Sequence, residues 1–128
     1  MRTTSQSQRS HDGIEIHVRR FAPDGPVRAT LQIVHGMGEH SARYARFAER
    51  LCEAGFEVIA ADTRGHGRSL ADSAPLGHLA DHDGWSKAVD DVADLAARIA
   101  GDHPEVPHAI LGHSMGSLIS LLFASRHQ

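Results

Sequence analysis

The sequence predicts an α/β fold, a mostly parallel sheet with helices on both faces. Short apolar stretches of strand length alternate along the chain with longer segments whose apolar residues recur every three to four positions. Several of the short stretches are continuously apolar, which is typical of parallel strands buried on both faces. With 128 residues, 41% hydrophobic and 23% charged, the composition fits one soluble globular domain.

The first part of the chain predicts two strands after a polar start. Residues 1–12 are polar and predict either a frayed start or a weak edge strand, so we set them apart from a domain spanning 13–128. Residues 14–21 alternate apolar and polar side chains, the period of a half-buried strand. After turn residues, 29–36 are apolar and end in glycine, which predicts a buried strand.

Residues 43–55 predict the first helix. Ser41 is in position to cap its N-terminus, and Gly55 is a suitable C-terminal stop. The expected apolar face consists of Tyr44, Phe47, Ala48, Leu51 and Cys52.

The second part of the chain repeats the alternation of strand and helix. Residues 56–62 predict a short strand, 108–114 a buried strand, and 115–128 a last helix. A polar, glycine-rich loop runs from 63 to about 83. A second helix is predicted between this loop and the strand at 108–114, with an apolar face made of Trp85, Ala88, Val89, Val92, Leu95, Ala96 and Ile99. The predicted order is therefore β-β-α-β-α-β-α.

Composition and motifs argue against several classes of function. The net charge of −3 provides no basic stripe for nucleic acid. Eleven histidines are scattered, without an H-E-x-x-H pair or a Cys-His cluster, and no nucleotide-binding glycine motif occurs, so we expect no metal and no cofactor. The single Cys52 and the absence of a long apolar run favour a cytoplasmic protein without a transmembrane segment. Oligomeric state is left open.

A serine lies between two glycines where the last predicted strand meets the last helix. Gly112, Ser114 and Gly116 have the spacing G-x-S-x-G. In a strand-turn-helix context the serine is held in a strained backbone conformation, and the glycines let strand and helix pass without clashing. The amide of Met115 then lies at a helix N-terminus, where negative charge is favoured. The alternative is a turn that caps the helix without chemistry.

A second glycine-rich segment ends an earlier strand, at His35, Gly36, Met37 and Gly38. An oxyanion hole needs two N–H donors, and in this architecture the second comes from such a loop, here from the amide of Met37. A simple strand-to-helix turn is the alternative.

A third glycine-rich segment covers residues 62–69. Because it lacks a phosphate-binding pattern, we expect Asp62, Arg64 and His66 to stabilise loops through a buried ion pair or hydrogen bonds.

Together the segments HGMGEHSARY, DTRGHGRS and GHSMGS resemble the α/β-hydrolase superfamily. More narrowly, they resemble the monoacylglycerol lipase and lysophospholipase group, often filed with the S33 serine aminopeptidases. The resemblance covers residues 13–128. It implies hydrolysis of monoacylglycerols, lysophospholipids or related small esters without a cofactor. Ser117 departs mildly from the group, which often has a second glycine there.

The resemblance also implies roles for individual residues. Ser114 corresponds to the nucleophile, and the amides of Met37 and Met115 to the oxyanion hole. The residues that support these motifs are His35, Gly36, Gly38, Gly112, His113 and Gly116.

The acid and base of a triad are missing from this pattern. Such hydrolases place Asp or Glu and then His after the serine, but Ser114 is followed by no Asp or Glu and only by His127. Thirteen helical residues would separate His127 from the serine by about 20 Å. His113 is expected to point away, and His35 or His40 would need a rearrangement. The sequence therefore predicts the N-terminal half of a hydrolase, with residues 107–112 left as an apolar sheet edge.

Two other interpretations stay open. The same fold and serine turn support peptidase, thioesterase, acyltransferase and haloperoxidase chemistry. A non-catalytic protein could also retain the turn only as structure. Ser114 argues against epoxide hydrolases and dehalogenases, which typically have Asp at that position, and acyl and alcohol specificity are not derivable.

Overall fold

The computed structural model describes residues 1–127. The strands are β1 (Arg2–Arg9), β2 (Glu15–Ala22), β3 (Ala29–Val34), β4 (Phe56–Ala61) and β5 (His108–Gly112), and the helices are α1 (Ala45–Glu53), α2 (Gly84–Asp102) and α3 (Met115–Arg126). The strands form one sheet in the order β1-β2-β4-β3-β5. The helix predicted over 115–128 is α3, and Gln128 lies outside the described residues.

The sheet is mixed but mostly parallel, as the sequence predicts. β3 pairs in parallel with β4 and β5, whereas β2 pairs antiparallel with β4 and β1. Four of these five strands therefore run in one direction. β1 pairs along its whole length with β2, from Arg2 opposite Ala22 to Arg9 opposite Glu15, so the edge-strand alternative for the polar start is confirmed.

Helices cover both faces of the sheet. Because successive strand residues point to opposite faces, Leu31 and Ile33 face α1, whereas the Gln32 amide on the other face donates to Val92 O of α2. The core on the α1 side contains Phe21, Leu31, Ile33, Ala48, Cys52, Val58 and Ala60. The core on the side of α2 and α3 contains Ile16, Val18, Val34, Ile59, Ala88, Val89, Val92, Leu95, Ile99, Met115 and Ile119.

Two local predictions about the helices are wrong. A 3-10 turn at Ser41–Tyr44 precedes α1, so Ser41 is not its N-cap, and the Ser41 amide donates instead to Asp62 Oδ1 at 2.6 Å. Phe47 and Trp85 are each 43% exposed because they lie at the margin of their helical faces rather than in the core. The stop at Gly55 is confirmed, with φ +90° and an N–H that donates to Cys52 O.

Apolar surface is exposed at the β5 edge of the sheet. Within residues 1–127, β5 pairs only with β3, and none of its residues is fully buried. On the neighbouring α3, Leu118 is 57% and Leu121 67% exposed. None of the helices in the described residues is long and apolar enough to cross a membrane.

We expect this surface to make the isolated chain self-associate. Replacing Leu118 and Leu121 together with lysine should reduce light scattering at a given concentration without lowering the melting temperature, because both side chains are exposed. The matched control is Ile119→Lys, which places a charge at a fully buried position and should unfold the chain. A wild-type chain that is monomeric and melts in one sharp transition would contradict the expectation.

Candidate functional site

Ser114 occupies a strained turn between β5 and α3. Its φ of 54° and ψ of −118° are a combination that residues with a Cβ rarely adopt. Such a conformation costs about 1–3 kcal/mol and persists only where the surroundings enforce it. The side chain is exposed at the C-terminal end of β5, so the expected turn and its strain are both present.

Because the backbone at Ser114 is strained, we expect relief of the strain to stabilise the chain. Ser114→Gly should raise the free energy of unfolding by about 1 kcal/mol, because glycine adopts positive φ without a steric penalty. The matched control is Ser117→Gly, which should destabilise the chain because it weakens α3 and removes the bond from Ser117 Oγ to Gly112 O. Urea denaturation of both variants measures the difference, and a destabilised Ser114→Gly would argue against strain.

The two glycines around the serine allow α3 to cross the end of β3 closely. A Cβ atom at Gly116 would overlap the carbonyl oxygens of Val34 and His35. A Cβ atom at Gly112 would lie 2.5 Å from the carbonyl oxygen of Gly116. Larger residues are therefore excluded from both positions, as the spacing predicts.

The loop after β3 approaches the serine turn directly. A Cβ atom at Gly36 would lie 3.2 Å from Ser114 Cβ, so the two backbones are nearly in contact. Gly38 has φ +76°, which gives the loop its turn. Among residues 1–127, no acceptor bonds to the amide of Met37 or of Met115, whereas the Gly116 amide donates to His113 O. The loop that carries the Met37 amide thus touches the turn immediately before Met115, the first residue of α3.

The loop after β4 is structural, as expected. Asp62 accepts hydrogen bonds from the amides of Ser41 and Arg68; burial raises the pKa of its carboxyl, but these bonds lower it more. Arg64 is 1% exposed and forms ion pairs with Asp12 and Asp91.

His35, the buried histidine in the loop after β3, has a hydrogen-bond partner at each ring nitrogen. His35 Nδ1 bonds to Gly36 O at 2.7 Å, and its Nε2 accepts the amide of Thr63 at 2.9 Å. This pairing fixes a neutral ring protonated on Nδ1, and burial lowers the pKa of that imidazole. Its edge meets the ring of His66, whose centroid is 5.2 Å away. Neither His35 nitrogen is free to accept a proton from Ser114.

The remaining histidines near the serine do not bond to it either. His113 Nδ1 bonds to Glu39 Oε2 at 2.8 Å, which turns the ring toward the loop after β3. His127, at the end of α3, stacks on Phe123 with ring centroids 4.9 Å apart. Within residues 1–127, no histidine nitrogen forms a hydrogen bond with Ser114 Oγ.

One residue of this region escaped the sequence analysis, namely Glu39. Its side chain is 8% exposed, and it accepts hydrogen bonds from the Gly36 amide, His113 and the Tyr44 hydroxyl. The available signal was a carboxylate inside the glycine-rich segment at 35–40, three residues after Gly36 and four before Arg43.

Comparison with known proteins finds a matching family and similar chains. A profile of the family described as serine aminopeptidase, S33, matches residues 25–128. A monoacylglycerol lipase of Mycolicibacterium smegmatis is 38% identical over 115 residues, which are 90% of this chain and 39% of that protein. Lysophospholipase L2 of Escherichia coli is 37% identical over 119 residues, 91% of this chain and 34% of that protein.

A solved structure agrees with the fold. The thermostable carboxyl esterase of Bacillus coagulans, crystallised in complex with glycerol, matches with a TM-score of 0.89 and 34% identity. The match covers 99% of this chain and 41% of the esterase. This chain thus spans about two fifths of the length of the relatives it matches.

Proposed function

Because this chain belongs to the S33 serine aminopeptidase family of α/β-hydrolases, we propose that Ser114 is the nucleophile of a serine ester hydrolase. In this reaction the serine oxygen attacks the ester carbonyl, the alcohol leaves with a proton, and water then releases the acid from the acyl-enzyme. The observation that carries the proposal is the backbone of Ser114, held at φ 54° between β5 and α3. That conformation presents the serine hydroxyl at the C-terminal end of β5, beside the N-terminus of α3.

The proposed oxyanion hole consists of the amides of Met37 and Met115. A tetrahedral intermediate carries negative charge on the former carbonyl oxygen, and fixed N–H donors stabilise it. The residue before each of these amides, Gly36 or Ser114, is in near contact with the other. Met115 adds the favourable end of the α3 dipole.

The proposed substrates are small carboxylic esters of the monoacylglycerol or lysophospholipid type, hydrolysed without a cofactor. Two amide donors would stabilise the intermediate of an ester or of a peptide equally well, so the site alone does not select between them. The ester is supported by the relatives, whose names are monoacylglycerol lipase, lysophospholipase and carboxyl esterase.

We further propose that these 128 residues alone hydrolyse esters slowly or not at all. A serine hydroxyl is a weak nucleophile without an adjacent base, and the histidines nearest Ser114 are bound elsewhere. With a chromogenic short-chain ester, the chain and its Ser114→Ala variant should give the same rate. A rate well above background that disappears in the variant would contradict this part of the proposal.

A chimera tests the activity itself. We define the chimera as the Bacillus coagulans carboxyl esterase in which the segment matched by this chain is replaced with residues 1–128. The chimera should hydrolyse monoacylglycerol, and Ser114→Ala within it should lower kcat by about 10⁴-fold or more. A folded chimera whose activity survives Ser114→Ala would refute the assignment of the nucleophile.

A further inference from the structure

Glu39 connects the two loops that meet at Ser114. Its Oε2 accepts the Gly36 amide at 2.7 Å and His113 Nδ1 at 2.8 Å. Gly36 immediately precedes Met37, and His113 immediately precedes Ser114. One carboxylate oxygen therefore joins the residue before one proposed oxyanion donor to the residue before the proposed nucleophile.

We propose that Glu39 is a positioning residue that sets the distance between the Met37 amide and the Ser114 turn. The inference rests on the proposed function, because it assigns Glu39 to the assembly of the proposed oxyanion hole. Glu39 itself acts through its neighbours: its bonds go to Gly36 and His113, and no reacting atom needs to touch it.

The other carboxylate oxygen holds Glu39 in place. Oε1 accepts the Tyr44 hydroxyl at 3.1 Å and lies 3.3 Å from Arg43 Nε. Burial raises the pKa of the Glu39 carboxyl, but bonds from His113, the Gly36 amide and Tyr44 lower it more, so the group is ionised at neutral pH. Burial of Tyr44, together with the nearby charge of Glu39, raises the pKa of the Tyr44 hydroxyl to about 12, so it stays a donor.

The contacts of Glu39 are confined to one small region of the structure, which argues against a general role in stabilising the fold. The carboxylate reaches the loop after β3, the first turn before α1, and the end of β5, and it forms no bond to the sheet interior or to α2. If Glu39 only stabilised the chain as a whole, its removal would speed hydrogen exchange in all segments alike. We instead expect removal of Glu39 to speed hydrogen exchange together in two loops that are far apart in sequence.

Hydrogen exchange of the 128-residue chain, read by mass spectrometry at low concentration, tests this coupling. Glu39→Ala should speed exchange about tenfold in both residues 35–40 and residues 112–117, because each loop loses a charge-assisted bond. Residues 56–61 of β4 should be unchanged. Glu39→Gln should restore slow exchange in both loops, because an amide oxygen can accept the same two bonds from Gly36 and His113.

A second variant tests the direction of the coupling. His113→Ala leaves Glu39 and Gly36 intact, yet it should speed exchange in residues 35–40, because one anchor of the carboxylate is gone. Arg43→Ala, which removes only the exposed partner of Oε1, is the control and should leave both loops unchanged.

Two results would overturn the proposal. One is faster exchange in residues 35–40 alone after Glu39→Ala, and the other is no change there after His113→Ala. Because exchange does not depend on catalysis, a chimera that lacks ester hydrolysis would defeat the proposed function while this result for Glu39 stood by itself.

Discussion

Replacing Arg64 with methionine is expected to lower the free energy of unfolding by about 3–5 kcal/mol. Arg64 is 1% exposed, its Nε donates to Asp91 at 2.8 Å, and its terminal nitrogens donate to Asp12 at 2.8 and 2.9 Å. The guanidinium also donates to Ser10 Oγ at 2.8 Å. Methionine fills much of the volume but leaves two carboxylates without their counter-charge, of which Asp91 is the more buried at 11% side-chain exposure, against 28% for Asp12.

Arg68→Met is the matched control, because the Arg68 side chain is exposed on the same loop. Urea denaturation should show a change of less than about 0.5 kcal/mol for Arg68→Met. Equal stability of the two variants would mean that the Arg64 ion pairs contribute nothing net.

The same ion pairs give a pH dependence with a definite sign. Hydrogen bonds from Arg64 hold the pKa of Asp12 far below its ordinary value of 3.8, although burial opposes the shift. A carboxyl whose pKa is depressed by folding contributes stability above its unfolded pKa and loses it as the pH falls toward the folded pKa. The difference in stability between wild type and Arg64→Met should therefore be full above about pH 5 and shrink below about pH 4.

Replacing Gly116 with alanine is expected to destabilise the chain by about 3 kcal/mol. The added methyl would collide with the carbonyl oxygens of Val34 and His35, which belong to the backbone of β3 and its following loop. Neither carbonyl can move without pulling β3 away from its neighbours, so α3 must shift instead. That shift would also displace the Met115 amide from the loop carrying Met37.

The matched control for this substitution is Gly101→Ala. A Cβ atom at Gly101, in the exposed last turn of α2, would meet nothing within 4 Å. Alanine there should stabilise the chain by about 0.5–1 kcal/mol, because it removes the flexibility of a helical glycine. Chemical denaturation of the pair measures both effects, and a Gly116→Ala variant as stable as wild type would refute the close crossing.

Most of the fold follows from local patterns in the sequence. The apolar face of α2 recurs every three to four residues from Ala88 to Ile99, so its position is encoded within the segment itself. β1 has no such pattern, because an edge strand pairs through its backbone and its side chains can all be polar. The cap predicted at Ser41 failed because the Ser41 amide has a distant partner, Asp62, which no local pattern identifies.

The candidate site likewise has a part that follows from local sequence and a part that does not. Gly112, Ser114 and Gly116 lie within one turn, so their spacing predicts the strain and the close crossing. The bond between Glu39 and His113 joins residues 74 positions apart. Such a contact depends on the alignment of β3 with β5, so it emerges only once the sheet is assembled.

Locating the residue that forms the covalent intermediate tests most directly whether Ser114 is the nucleophile. The chimera is treated with a fluorophosphonate, which phosphonylates an activated serine and stops there, and the modified peptide is located by mass spectrometry. We expect one label, on Ser114, and no label in the Ser114→Ala variant. A label on another residue would contradict this assignment. So would a Ser114→Ala chimera that is still active and still labelled.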